Sequence, residues 1–124
     1  MKVPGFLARQ FYVEGSLRNT PTGFRLEAQN PLGNGTLIGV GRMAVDGREI
    51  APEAVSAQRD GDDERIQATD VSTRRYITVS QGDRVVLFVD GPRLEPGNHT
   101  LEVQLTEVNL GRLSFAITDK LSED

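Results

Sequence analysis

Four acidic residues crowd one polar stretch: Asp60, Asp62, Asp63 and Glu64. Carboxylates at that density raise an oxygen-ligand site for calcium. The spacing argues against an EF-hand. Counted from Asp60, the sixth position should be Gly and the twelfth Glu, and here they are Arg65 and Val71. A solvated loop is the better reading. His99 is the only histidine. A lone imidazole cannot build a multi-histidine metal site, though it could serve as a general base near neutral pH. Its place decides between roles. It follows Pro96-Gly97-Asn98 at the start of a strand, where a polar ring can lock a corner by bonding back to nearby backbone. Ser56, Ser80 and Ser114 lack the context of a nucleophile elbow. Gly33-Asn34-Gly35 leads into a strand, whereas a phosphate cradle opens a helix. Arg74-Arg75 is a single basic doublet, too small to argue for nucleic acid. No nucleophile–base pair can be assigned, so no catalytic, cofactor-binding or metal-ligating residue is expected on this chain.

The composition agrees. The 124 residues carry a net charge of −4, which disfavours nucleic acid and anionic membrane as partners. There are no cysteines, so disulfides and thiolate metal sites are excluded. Met1 to Gly15 holds no apolar run of a secretory leader's length. No stretch approaches the roughly 20 apolar residues of a membrane span. The expected compartment is the cytoplasm.

The elements that would position any site read as strands. Val85 to Val89 is the longest unbroken apolar run. It is short, β-branched and bounded by Gly and Pro, which predicts a strand buried on both faces. Leu101, Val103 and Leu105 alternate with polar residues, predicting a strand with one wet face. Together they read as a hairpin closed by the Pro-Gly-Asn-His corner. Phe11 to Leu17 reads as a first strand, and Gly23 to Gln29 as a second, with Phe24, Leu26 and Ala28 inward. Asn30 to Gly35 is a loop carrying one large apolar residue, Leu32. Leu37 to Val45 is mostly apolar, and Gly39 and Gly41 mark a bulge or a close approach by another chain. Val45-Asp46-Gly47-Arg48-Glu49-Ile50 is a tight hairpin whose Asp-Gly pair suits a primed turn. Ala51 to Ala57 is a short strand or a single helical turn. Ile66 to Val71, Tyr76 to Ser80 and Leu113 to Thr118 complete the set. About eight short strands with no sustained helical period predict an all-β antiparallel sandwich, jelly-roll or immunoglobulin-like. One domain over 1–124 is expected, with an N-terminal arm at 1–10 and a frayed tail at 119–124.

Two stretches hold apolar or flexible residues outside the clearest strands. Phe6, Leu7, Phe11 and Tyr12 lie in and beside the arm, and Asn30, Pro31, Leu32 and Asn34 lie in the loop after the second strand. They form the expected partner interface.

The order of features carries a resemblance. Gly15-Ser16-Leu17 ends a strand and Gly23-Phe24 opens the next. A Pro/Gly loop, an apolar stretch and Val45-Asp46-Gly47 follow. After an acidic insertion comes Leu94-Glu95-Pro96-Gly97-Asn98-His99-Thr100-Leu101-Glu102-Val103. From Gly15 to Leu105 this resembles the small (β) subunit of bacterial C-glycoside deglycosidases. The resemblance implies a non-catalytic accessory subunit of a carbon–carbon lyase. Its partner would be a large TIM-barrel-like α subunit carrying the general base and a divalent metal, manganese in most relatives. The complex would cleave the bond between a 3-oxo sugar and an aromatic aglycone. The alternative is a free-standing sandwich that binds carbohydrate or protein.

Overall fold

A computed structural model describes residues 1–122. The chain opens with a two-turn helix, α1 (Gly5–Phe11). Ten strands follow: β1 (Arg18–Thr20), β2 (Gly23–Gln29), β3 (Gly35–Val45), β4 (Arg48–Ile50), β5 (Val55–Arg59), β6 (Ile66–Gln67), β7 (Ile77–Val79), β8 (Arg84–Asp90), β9 (Asn98–Glu107) and β10 (Gly111–Lys120). Single 3-10 turns at Pro52–Ala54 and Ala68–Asp70 interrupt the sequence. The strands form two antiparallel sheets, ordered β1-β2-β8-β5-β6 and β10-β9-β3-β4, with β7 pairing the first part of β3. The fold is an all-β sandwich. Among the described residues, no helix is long and apolar enough to cross a membrane.

The core lies between the sheets and follows the alternation of the strands. Phe24 and Leu26 from β2, Val85, Leu87 and Val89 from β8, and Leu101 and Val103 from β9 are all buried. A smaller cluster of Val3, Ala8, Leu113 and Phe115 sits under α1, joined by Leu7 and Phe11. Leu7 and Phe11 are four residues apart, so both face β10 while Phe6 faces water.

Several expectations need correction. The arm expected at 1–10 is partly helical: Pro4 starts α1, its carbonyl accepting the N–H groups of Leu7 (3.0 Å) and Ala8 (2.8 Å). Proline suits a helix start because its missing N–H would have no helical partner. The strand expected at Phe11 to Leu17 shrinks to one bridge, Tyr12 to Ala28. The hairpin expected from Val85 to Leu105 is instead a crossover, because β8 and β9 belong to different sheets. Asn19 pins the connection: its Nδ2 donates to the Leu94 carbonyl (3.0 Å) and its Oδ1 accepts the Leu94 N–H (2.8 Å). Nor is β8 buried on both faces. Val86 and Phe88 are only half-buried, and the Arg65 guanidinium covers the Phe88 ring at 3.6 Å.

The tail expected to fray from 119 is ordered through residue 122. Leu121 is buried, its N–H donates to the Gly97 carbonyl (2.9 Å), and the Ser122 N–H donates to the Leu17 carbonyl (2.8 Å). The rest of that tail lies outside the described residues.

Other readings hold. Asp46 and Gly47 have φ of 51° and 81°, as a primed turn requires. The β3–β9 register shifts at Leu37/Gly39 and Val40/Met43, so Gly39 and Gly41 do sit at an irregularity. The close approach there is internal: a Cβ on Gly41 would lie 3.2 Å from the Gln104 Cβ.

Candidate apolar cleft

One end of the sandwich gathers the close of β2, the starts of β3 and β8, the β9–β10 turn and the last residue of α1. At this end the sheets enclose a cleft of about 380 Å³. Leu26, Val85 and Leu87 form one wall, and Leu37, Val103 and Leu105 form the other. Phe11 and Phe115 close one side, ring centroids 5.4 Å apart and planes tilted by 56°. That geometry lies within the favourable range for aromatic pairs.

The mouth is framed by two apolar side chains that face water, Leu32 at 60% exposure and Leu110 at 55%. Each has a local cause. Leu32 rides on the loop that crosses between the sheets, and Asn30 shapes that loop. The Asn30 Nδ2 donates to the carbonyls of Gly33 and Val79, and its Oδ1 accepts the Leu32 N–H (3.1 Å). Asparagine is suited to such a turn because its side chain mimics a backbone amide. Leu110 is held by Glu107. One Glu107 oxygen accepts the N–H groups of Asn109 (2.7 Å) and Leu110 (2.9 Å), and the other accepts that of Thr36 (2.9 Å). Burial pushes the Glu107 carboxyl up, but backbone N–H groups of Thr36, Leu110, Asn109 and Val108 outweigh it, leaving the group below its usual range. The mouth therefore carries a fixed negative charge.

Tyr12 lines the cleft and is buried. Its hydroxyl donates to Asp119 Oδ2 (2.5 Å), which also accepts the Gly15 N–H (3.0 Å). Burial first, then the Asp119 carboxylate, push the phenol up, so it stays protonated at any physiological pH.

His99 is 8% exposed and is the second residue of β9, paired with Asp119 of β10 at the end of the strand far from the cleft. Its Nδ1 is 2.6 Å from Asp46 Oδ2 and its Nε2 is 2.7 Å from the Glu95 carbonyl. Both partners are acceptors, so the doubly protonated imidazolium satisfies both bonds. The Glu95 carbonyl and then Asp46 accordingly push His99 up, while His99 and the Thr100 N–H hold Asp46 down. This is the structural corner expected from the sequence.

The acidic stretch is drawn into ion pairs: Asp62 with Arg59 (2.9 Å) and Glu64 with Arg75. Among the described residues no three His, Cys, Asp or Glu side chains converge as a metal site would need.

The expected interface residues divide. Phe11, Tyr12, Asn30, Leu32 and Asn34 all line the cleft. Phe6 projects into water, Leu7 packs under α1, and Pro31 lies on the loop outside the lining. Glu107 and Leu110 went unnoticed in the sequence. Leu110 did leave a signal, as a large apolar residue inside the polar turn Asn109-Leu110-Gly111.

The family model described as hydroxymethylglutaryl-CoA reductase, N-terminal domain, matches residues 7–122. The chain belongs to that family. No curated protein matches the sequence. The match spans nearly all of the sandwich, from within α1 to the last described residue. It overturns the resemblance to the deglycosidase β subunit and with it the carbon–carbon lyase role. The alternative of a free-standing carbohydrate- or protein-binding module gains no support from it either. The features behind the resemblance, such as Val45-Asp46-Gly47 and the Pro-Gly-Asn-His corner, are explained here as turn and corner chemistry that unrelated sandwiches can share. The large partner subunit and its divalent metal were implied by that resemblance alone.

Proposed function

We propose that this chain is an accessory domain in hydroxymethylglutaryl-CoA reductase chemistry, folding against a reducing centre formed by other residues. The family match over 7–122 carries this reading. The chemistry of the described residues supports it. Coenzyme A is rich in phosphate, and its recognition favours arginines free to fork onto phosphate oxygens. Three of the twelve arginines are engaged by carboxylates: Arg42 by Glu49 (2.5 Å) and Glu102 (2.8 Å), Arg59 by Asp62 and Arg75 by Glu64. The one histidine is held on both nitrogens by its own fold. Among the described residues the single α-helix follows Pro4 and spans two turns, and no glycine-rich phosphate cradle opens it.

Two assays test the reading. The isolated chain should not reduce hydroxymethylglutaryl-CoA. Added to the catalytic region of a reductase from the same organism, it should bind and raise that region's melting temperature, as a native-state partner does. Turnover by the isolated chain would overturn the accessory role. A catalytic region indifferent to the chain in both binding and melting would overturn the assignment to reductase chemistry.

A further inference from the structure

We infer that the cleft between the sheets is a binding site for a small neutral amphiphile, a hydrocarbon chain with an uncharged polar end. This goes beyond the reductase role and does not depend on it.

The first argument is shape. The cleft runs inward between the sheets, walled by side chains of both, so a flat protein surface cannot reach its lining. A slender molecule can. At about 380 Å³ it exceeds twice the roughly 150 Å³ of an engineered apolar cavity that accepts benzene. Protein interiors are otherwise packed to crystal density, and ligand sites fall in this size class.

The second argument is chemistry. The walls are leucine, valine and phenylalanine, which can recognise hydrocarbon and little else. Beyond Tyr12, whose hydroxyl is held by Asp119, and Gln29, whose amide donates to the Gln10 carbonyl, the polar lining gathers at the mouth: Asn30, Asn34, Thr36, Glu107 and Asn109. Four of these are neutral and can bond a hydroxyl, carbonyl or amide.

The third argument selects the head group. Glu107 is tied on both oxygens by backbone N–H groups and cannot swing away. It stays ionised because those donors favour the carboxylate. A free fatty acid would bring a second carboxylate to the same opening, and like charges at close range repel. A neutral alcohol, ketone or amide meets no such penalty. The exposed Leu32 and Leu110 flank the entrance and give the emerging chain an apolar collar.

The test uses the full chain with 1-octanol and octanoate at neutral pH. Binding is read from leucine and valine methyl resonances. Octanol should shift the methyls of Leu26, Leu37, Leu87 and Leu105 in a saturable manner. It should bind about tenfold more tightly than octanoate. Glu107→Gln should narrow that ratio, chiefly by improving octanoate. Leu37→Trp should abolish the shifts by filling the cleft. If that variant fails to fold, Leu32→Ser with Leu110→Ser, both at exposed positions, should weaken octanol several-fold and leave the melting temperature unchanged. Three results would overturn the inference: no saturable shift of the cleft methyls with octanol, octanoate binding as tightly as octanol in the native chain, or shifts confined to methyls outside the cleft.

Discussion

Ala28→Leu tests the cleft without any ligand. Ala28 is on the inward face of β2, two residues beyond the buried Leu26, and lines the cleft. Leucine adds three carbons there. At about 0.8 kcal/mol per buried CH2, full burial contributes about 2.4 kcal/mol. Ordering the longer side chain costs about 0.5–1 kcal/mol. The net is about 1.5 kcal/mol of added stability. For a domain of this length that corresponds to a rise in Tm of about 6 °C. Circular dichroism melts give the Tm, and urea titration with an unchanged slope shows that the same transition is being followed. Ala116→Leu is the control. Ala116 is exposed on β10, and its substitution should move stability by no more than about 0.5 kcal/mol. If Ala28→Leu keeps the native spectrum yet melts at or below the parent temperature, the added carbons are overpacking a filled interior. The cleft would then be too small for the reasoning built on it.

Two more outcomes follow from the same structure. The His99 corner should make stability fall on the alkaline side. The imidazolium is favoured in the fold, so its contribution is complete below the ordinary value of 6.5 and is lost as pH rises through the higher folded value. Asp46, held low, keeps its contribution above the ordinary value of 3.8 and loses it as pH falls through its lower folded value. Urea midpoints from about pH 5 to about pH 9 should decline in the parent and flatten in His99→Gln; an equally steep decline in both would remove His99 as the cause. At Gly23, a Cβ would stand 2.0 Å from the Val89 carbonyl oxygen. Gly23→Ala should therefore cost about 3 kcal/mol or more in urea unfolding, and a loss under about 1 kcal/mol would contradict the contact.

The sequence made the fold class legible because strand alternation is a local signal. Phe24, Leu26 and Ala28 declared one face of β2, and Leu101, Val103 and Leu105 declared one face of β9. Which sheet each strand joins is not a local property. Nothing in Arg84 to Thr106 distinguishes a hairpin from a crossover, and the clamp on the connection comes from Asn19, 75 residues before Leu94. Helix α1 escaped notice because two turns are too short to establish a period. The candidate site was half visible. Phe11, Tyr12, Asn30, Leu32 and Asn34 stood out as apolar or turn-forming residues away from the main strands. They line an interior cleft that only the pairing of distant strands creates. Glu107 looked like one more polar residue on an alternating strand. Its part depends on three backbone N–H groups that fold toward it.

The two ends of the chain are stitched together by several bonds. The Tyr12 hydroxyl meets Asp119, the Ser122 N–H meets the Leu17 carbonyl, the Ser122 hydroxyl donates to the Gly15 carbonyl (2.7 Å), and the Val3 N–H meets the Ser114 carbonyl. This sets a timetable for synthesis. Tyr12 leaves the ribosome 107 positions ahead of Asp119, the residue that bonds its hydroxyl. Closure of the sandwich must wait until Asp119 and Ser122 emerge, and such distant pairings are slow to form. During that interval the N-terminal aromatics and the inner faces of the early strands stand open. Exposed apolar surface of that kind is prone to aggregate, so the hazard falls on the nascent chain more than on the finished domain.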